Sequence, residues 1–591
     1  MRAASGRETS ARAAFLVGVA AAFVAGVDLV RWIRPPLLTD PDSAWLLPRL
    51  CLGLFVIAAT ACAGGLACAV LLLAARALSL PLEPLPLPRV ALFAVSAAAV
   101  LLGVTLRFAL LETEPASLWI DDVSLITPAL ALKGAPSDFA DAIRPAPYGV
   151  ARPYGSVGVL YLELYRGALL LFGTTVLGVR FLSAAAGVAS LVTAAAIARA
   201  LLPRGGGTLA ALVLAGLRWS LLLSRWGWNA VVLAPIVDAA VLLLLRARRR
   251  ESLLFALLSG VVAGLAAHIY LAAWVAAAAL LLLAAWPREA VRPARPRLRL
   301  VLPFAVGFAC TAAPIFLLRE GRTAPYFARA SDHSLLAEIR YMHSAMPAFA
   351  AAADSLAGPW FKSDPYQHHD LPGRTRLGWI LGFPVAAALA RSLLRPRQEF
   401  SAYLLSQAGA ALAGSVAGGH AGVPNGYRFG YLADVTAVAA AGGVLFLLSL
   451  VPTPRRRVAA IAGIGLLSLE GILGARDALI EWPRRRETFE GFHGQDTVLA
   501  RTALAWERYG SVRLDRGLGH SPITLEGIRR YRLDPDLRGG SRRGGTRRCF
   551  RIAAPGTVPG AGEGVRIVER VRDPWGRDLA VVLGTRSCSR P

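Results

Sequence analysis

Cysteine, histidine and lysine are scarce in this 591-residue chain: it has 6 Cys and 8 His, and its only lysines are Lys133 and Lys362. No Cys/His spacing resembles a zinc site. Cys51, Cys62, Cys68 and Cys310 lie in apolar runs and read as small core residues, whereas Cys549 and Cys588 lie in the hydrophilic tail and could pair if that tail is outside the cytoplasm. Charge is thin too, at 17% of residues, against 55% hydrophobic residues and a mean hydropathy of +0.52. That balance excludes a large soluble protein. The alternation that β-barrel strands need is missing, so spanning segments must be helices, which satisfy their own backbone amides in lipid. No small-residue cleavage site follows the first apolar run. Arg2, Arg7, Arg12 and the run to Val27 therefore read as a first spanning helix with its amino end inside, not as a cleaved signal. No internal repeat is visible.

What the chain does have is a series of long Leu/Ala/Val runs. Candidate spans are 13–31, 50–75, 89–111, 178–201, 207–223, 228–246, 252–270, 271–286, 298–318, 377–394, 400–418, 429–450 and 457–474, thirteen in all. A formal net charge of +26 would suit nucleic acid, but the arginines sit in short breaks between spans: 246–250, 288–299, 391–397 and 455–457. By the positive-inside rule those breaks are cytoplasmic. Nucleic acid is excluded as a partner, and membrane lipids are implied.

The expected fold is an all-α polytopic membrane protein with interfacial helices at 122–133 and 157–172 in its first outer loop, and a small extracytoplasmic α/β domain at the carboxyl end. Its organisation divides into 1–88, two extra amino-terminal helices; 89–474, the main transmembrane domain; and 475–591, the tail. In the tail, 497–509 has helical periodicity, and 547–553, 565–571 and 578–584 read as strands. Arginine in place of lysine, with abundant alanine, suggests a bacterium of high genomic GC and hence its inner membrane.

Asp121 and Asp122 follow the apolar run 89–111 and would stand at the outer membrane surface. Ionisable groups at that depth are costly and usually functional. One could act as a general base while its neighbour positions it or holds a cation; the plainer alternative is an N-cap of the interfacial helix. Arg107, Arg180, Arg225 and Arg428 fall at outer ends of spans, where they could form a phosphate-binding surface or simply snorkel to headgroups. His268 and Tyr270 stand where two spans meet, and Tyr366-Gln367-His368-His369-Asp370 ends the second outer segment. Adjacent loop histidines diverge and make a poor metal site. A divalent cation could sit beside Asp121 and Asp122, but neither metal nor cofactor is required.

Asp121-Asp122, the aromatic segment that follows, Arg180-Phe181-Leu182-Ser183-Ala184, and Ser224-Arg225-Trp226-Gly227-Trp228-Asn229 together resemble the polyprenyl-phosphate-sugar-dependent glycosyltransferases of the C superfamily, in the branch of the protein O-mannosyltransferases and the lipid A aminoarabinose transferases. His369-Asp370-Leu371-Pro372-Gly373 and Asn425-Gly426-Tyr427-Arg428 look like later segments of bacterial members. The resemblance covers about 89–450. It implies Asp121 as the catalytic acid and Asp122 in the place of a second acid, commonly Glu. The family's His-Pro-Pro is represented only by Arg152-Pro153-Tyr154-Gly155. On this resemblance, Arg225, Arg428 and Arg180 would face the donor phosphate, and Tyr270, His268, His369 and Tyr427 the substrate. The partners would be a polyprenyl-phosphate sugar donor and a hydroxyl acceptor. The alternative is a transporter or flippase of a lipid-linked or anionic substrate, which acids facing inward within several spans would favour. A membrane scaffold with a polymer-binding tail is a second rival, but it leaves the acid pair unused.

Overall fold

The computed structural model describes residues 80–131, 158–287, 298–317, 335–418, 430–515, 518, 522–531, 533, 549–556 and 565–585, apart from 345, 362, 364–369 and 372. The first two expected spans, and His369, Tyr427 and Arg428, lie outside the described residues. Helices dominate the described part.

In chain order, α1 is Arg89–Phe108, α2 Ile120–Ser124, α3 Ile126–Ala131, α4 Val159–Phe172 and α5 Val176–Leu201. The run 207–223 is not one rod: α6 (Gly206–Gly216) stops at Leu217 and α7 (Arg218–Leu223) starts afresh. Next come α8 (Asn229–Arg250), α9 (Leu253–Ala267), α10 (Ala273–Ala285), α11 (Leu298–Ala312) and α12 (Pro314–Leu317). They are followed by α13 (Leu335–Met342), α14 (Met346–Phe361), α15 (Trp379–Leu394), α16 (Glu399–Ala417), α17 (Leu432–Leu450) and α18 (Arg456–Arg476). Five helical stretches among the described residues are long and apolar enough to cross a membrane: α1, α5, α8, α17 and the continuous stretch Thr453–Glu481 that contains α18. Five shorter apolar helices, α6, α9, α10, α11 and α15, accompany them. This is a membrane-integral helical protein.

Burial sorts these helices. In α17, 83% of the apolar stretch is buried inside the protein, against 17% for α1, so α17 stands at the centre and α1 at the edge. Small residues let backbones close in where no hydrophobic force drives helices together in lipid. Gly260 and Gly264, one turn apart on α9, close on Phe304 and Thr311 of α11, where a Cβ on Gly260 would overlap the Phe304 carbonyl, and Gly307 of α11 closes in return on the Leu257 carbonyl. Helix starts follow capping chemistry: the Thr175 hydroxyl accepts the Gly178 amide at 2.9 Å at the head of α5.

Beyond α18 the tail holds α19 (Arg486–Gly491), α20 (Gly494–Trp506), β1 (Ser511–Leu514), α21 (Pro522–Tyr531), β2 (Cys549–Ala553), β3 (Arg566–Arg572) and β4 (Asp578–Thr585). Its sheet runs β1-β2-β4-β3, with β1 parallel to β2 and the other pairs antiparallel. Strand β1 and helices α19 and α21 carry too short or too polar a pattern to have been expected. Cys549 is disulfide-bonded; Cys588 lies outside the described residues.

Candidate active site

The chain leaves α1 at Ala109 and loops to α2, where the acid pair sits. Such a helix end leaves carbonyls without intrahelical partners. Two buried arginines take one of these, that of Leu106, and the loop carbonyls that follow. Arg225, in the turn after α7, donates from Nη1 to the Leu106 carbonyl (3.1 Å) and from Nη2 to those of Ala109 (2.8 Å), Leu110 (3.0 Å) and Glu114 (3.2 Å). Arg180, from the first turns of α5, donates to the carbonyls of Leu111 (2.9 Å), Pro115 (3.0 Å) and Ser117 (2.6 Å). Both are fully buried. Both were read as able to meet a phosphate or to snorkel to headgroups; here their terminal nitrogens donate to peptide oxygens and shape the loop that carries Asp121 and Asp122. Burial, and then the neighbouring Arg180 charge, pull the Arg225 guanidinium down to about 10, while Glu114 opposes them. Glu114 itself is pushed up by burial against the pull of Arg225, Arg180 and Arg484.

The two acids are differently employed. Asp122 is fully buried and accepts the Gly227 amide at 2.7 Å on Oδ1 and the Trp119 amide at 3.0 Å on Oδ2. It therefore ties the start of α2 to the Arg225-Trp226-Gly227-Trp228 turn, joining two motifs that lie about a hundred residues apart in sequence. Burial pushes its carboxyl up to about 6, against the pull of Arg180 and the two amides. Asp121, 5% exposed, accepts the Trp119 indole N–H at 3.0 Å. With both Asp122 oxygens held by backbone amides, Asp121 is the member of the pair better placed to exchange a proton. Beneath them the Tyr165 hydroxyl donates to the Asp122 carbonyl (2.7 Å) and the Tyr161 hydroxyl to the Gly227 carbonyl (3.2 Å).

Two further expected residues border the same turn without joining the acids. Tyr270 lays its ring edge-on to Trp228, centroids 6.2 Å apart, and the Asn229 amide donates to the Ile269 carbonyl at 3.1 Å. His268 is buried and turned away, its Nε2 2.9 Å from the Thr311 carbonyl of α11. Asp370, beside His369, is buried against Arg218, whose Nε reaches its Oδ1 at 2.8 Å, while Arg218 Nη2 donates to the Thr375 carbonyl at 2.6 Å. Arg218 Nη1 also meets Asp477 at 3.5 Å, so the 370–375 segment is pinned to the end of α18.

Sequence reasoning missed the roof. The ring of Trp119, which donates to Asp121, is stacked on His493 of the tail, with centroids 5.2 Å apart and planes 20° apart. Phe492 meets both Trp119 and Trp226 edge-on, at 6.1 and 5.9 Å. From α21, Tyr531 and Thr127 share a 2.5 Å hydrogen bond, and Gly527 lies so tightly on Val123 that a Cβ there would collide with it. No local pattern announced these contacts, because they depend on the docking of the tail. A second omission was readable. Asp238 and Asp434 fall inside the expected spans 228–246 and 429–450, and both are buried.

No protein-family model and no curated protein matches the chain. Solved structures that it resembles include the oligosaccharyltransferase of Archaeoglobus fulgidus tethered to an acceptor peptide, at 15% identity and a TM-score of 0.42 over 77% of this chain and 60% of that one. They also include ArnT from Cupriavidus metallidurans bound to undecaprenyl phosphate, at 13% identity and a TM-score of 0.39 over 85% of this chain and 99% of that one. The chain thus spans 60% of the length of the archaeal enzyme.

Proposed function

We propose that the protein is a membrane glycosyltransferase that moves a sugar from a polyprenyl-phosphate donor to a hydroxyl acceptor at the outer face of the membrane. The observation that carries this reading is the asymmetric acid pair. Asp122 is locked by two backbone amides, and Asp121 is held beside it under the tail by the Trp119 indole. Asp121 takes the acceptor hydroxyl's proton as the acceptor oxygen bonds to the anomeric carbon. The bond from that carbon to the phosphate oxygen breaks, and polyprenyl phosphate leaves with the electron pair. A single displacement inverts the anomeric centre. A phosphate leaving group needs no proton donor, so general base assistance, worth roughly 10²–10⁴-fold, is the main demand on the side chains. The resemblance of Asn425-Gly426-Tyr427-Arg428 assigns Arg428 to the departing phosphate in this reading; Arg180 and Arg225 act indirectly, by fixing the acid loop. A divalent ion beside the acids is not required.

Asp121→Asn should therefore lower transfer by at least about 10²-fold, with donor binding and thermal stability kept. Full activity in the purified variant would remove Asp121 from the mechanism.

Buried Asp238 and Asp434 favour a second reading, a proton-linked transporter or flippase of an anionic or lipid-linked substrate. Liposomes containing donor lipid distinguish the two: a transferase releases polyprenyl phosphate only when acceptor is present, whereas a flippase moves the intact donor between leaflets and releases none.

A further inference from the structure

Asp238 lies roughly 14 Å along α8, a helix roughly 33 Å long, and Asp434 is in the first turn of α17. They are 2% and 1% exposed, and their carboxyl groups lie within hydrogen-bonding reach of each other. Helix α5 supplies two hydroxyls: Thr193 donates to Asp238 Oδ2 at 2.7 Å, and Ser190 faces Asp434. From α16 comes Tyr403, fully buried, its hydroxyl without a hydrogen-bond partner among the described residues and close enough to sense both carboxylates. Among the described residues, the charged or titratable groups facing this cluster are Arg107 of α1, Tyr403 of α16 and, beyond it, Tyr431 ahead of α17. Arg107 is spent on the Gly103 and Leu214 carbonyls and the Ser220 hydroxyl.

Ionised carboxylates only accept hydrogen bonds, so contact between two of them requires a proton on one. Charge balance agrees. Two carboxylates and one guanidinium leave a net negative charge in an apolar bundle, and a single added positive charge cancels it. A cation shared by the two acids would cancel the same charge, and the salt comparison below separates it from a proton.

We propose that Asp238 and Asp434 form an intramembrane proton-binding site, in which one proton is held between the two carboxyl groups and Thr193, Ser190 and Tyr403 complete the polar shell. The site ties α5, α8 and α17 together through a group that a change of pH can remove. It stands apart from the acid pair of the transfer reading and holds whether that reading or its rival is right.

Infrared difference spectroscopy on the purified full-length protein in lipid nanodiscs at pH 7 tests it. The wild type should show the carbonyl band of a protonated carboxylic acid, shifted in heavy water, and both Asp238→Asn and Asp434→Asn should lose it. In parallel, thermal midpoints are compared between pH 6 and pH 9 in sodium and in choline chloride. The wild type should lose more than about 2 °C over that range, equally in both salts, and Asp238→Asn, whose amide can donate without a bound proton, should lose much less. Absence of the band in wild type, its survival in both variants, or stabilisation specific to sodium at pH 9 would overturn the proposal, the last by assigning the site to a metal ion.

Discussion

Arg225 offers the sharpest test of how the candidate site is built, because bracing the loop and binding a phosphate demand opposite results. Four carbonyls receive its two terminal nitrogens, at 2.8–3.2 Å. Leu110 also accepts the Thr113 and Glu114 amides, so Leu106, Ala109 and Glu114 depend most on the guanidinium. Charge-assisted bonds contribute about 1.5–3 kcal/mol each, or roughly 4–9 for three. Burial works against them: a guanidinium pulled down to about 10 costs the folded state about 3 kcal/mol at neutral pH. The net support is then on the order of 1–6 kcal/mol, and with about 2 °C per kcal/mol for a long chain, Arg225→Ala should lower the thermal midpoint by roughly 5 °C. Arg225→Lys should recover only part, because one ammonium cannot serve a fan of carbonyls. The assay is thermal unfolding in detergent beside donor KM. An unchanged midpoint together with a tenfold or larger rise in donor KM would refute the bracing role and return Arg225 to the phosphate.

Three further outcomes follow from contacts around the acids. The Asp122 carboxyl is raised to about 6 from an ordinary 3.8, so the folded state binds its proton more tightly. Its contribution to stability is fully present below about pH 4 and is lost as pH rises through 6, a span worth about 3 kcal/mol; Asp122→Asn should flatten that part of the stability–pH curve, and an unaltered curve would place the titration elsewhere. Gly227→Ala would set a Cβ 2.8 Å from the Val179 carbonyl and 3.0 Å from the Asp122 carboxylate. It should cost about 1–3 kcal/mol and most of the activity; wild-type kcat in that variant would mean that the turn need not hold Asp122. Gly527→Ala should lift α21 off Val123, expose the tail to limited proteolysis and lower kcat with the transmembrane helices intact; an unchanged digestion pattern would show that the roof tolerates the methyl.

The membrane architecture was legible because lipid allows so few backbone solutions. The Leu/Ala/Val runs read as 178–201 and 429–450 can only be helices in lipid, and the structure has helices at Val176–Leu201 and Leu432–Leu450. The break at Leu217 was not legible, since Leu-Arg-Trp-Ser continues an apolar stretch and only Arg218, drawn to Asp370 and Asp477, shows why the chain turns there. Arg180 and Arg225 were visible as unusual residues, yet one-dimensional order cannot say whether a guanidinium points at a ligand or at a helix end. The contacts of Trp119 with Phe492 and His493 join segments more than 370 residues apart and leave no local periodicity. Asp238 and Asp434 could have been read directly, as single acids in otherwise apolar spans.

The hydrogen bond between Thr127 and Tyr531 crosses 404 positions of chain. A ribosome adding roughly 5–20 residues per second makes Thr127 some 20–80 s before Tyr531 exists. Throughout that interval the newly made acids have no cover, and Trp119 lacks the imidazole on which it will rest. The covered acid pair is thus finished last, after the helices that hold it have been made.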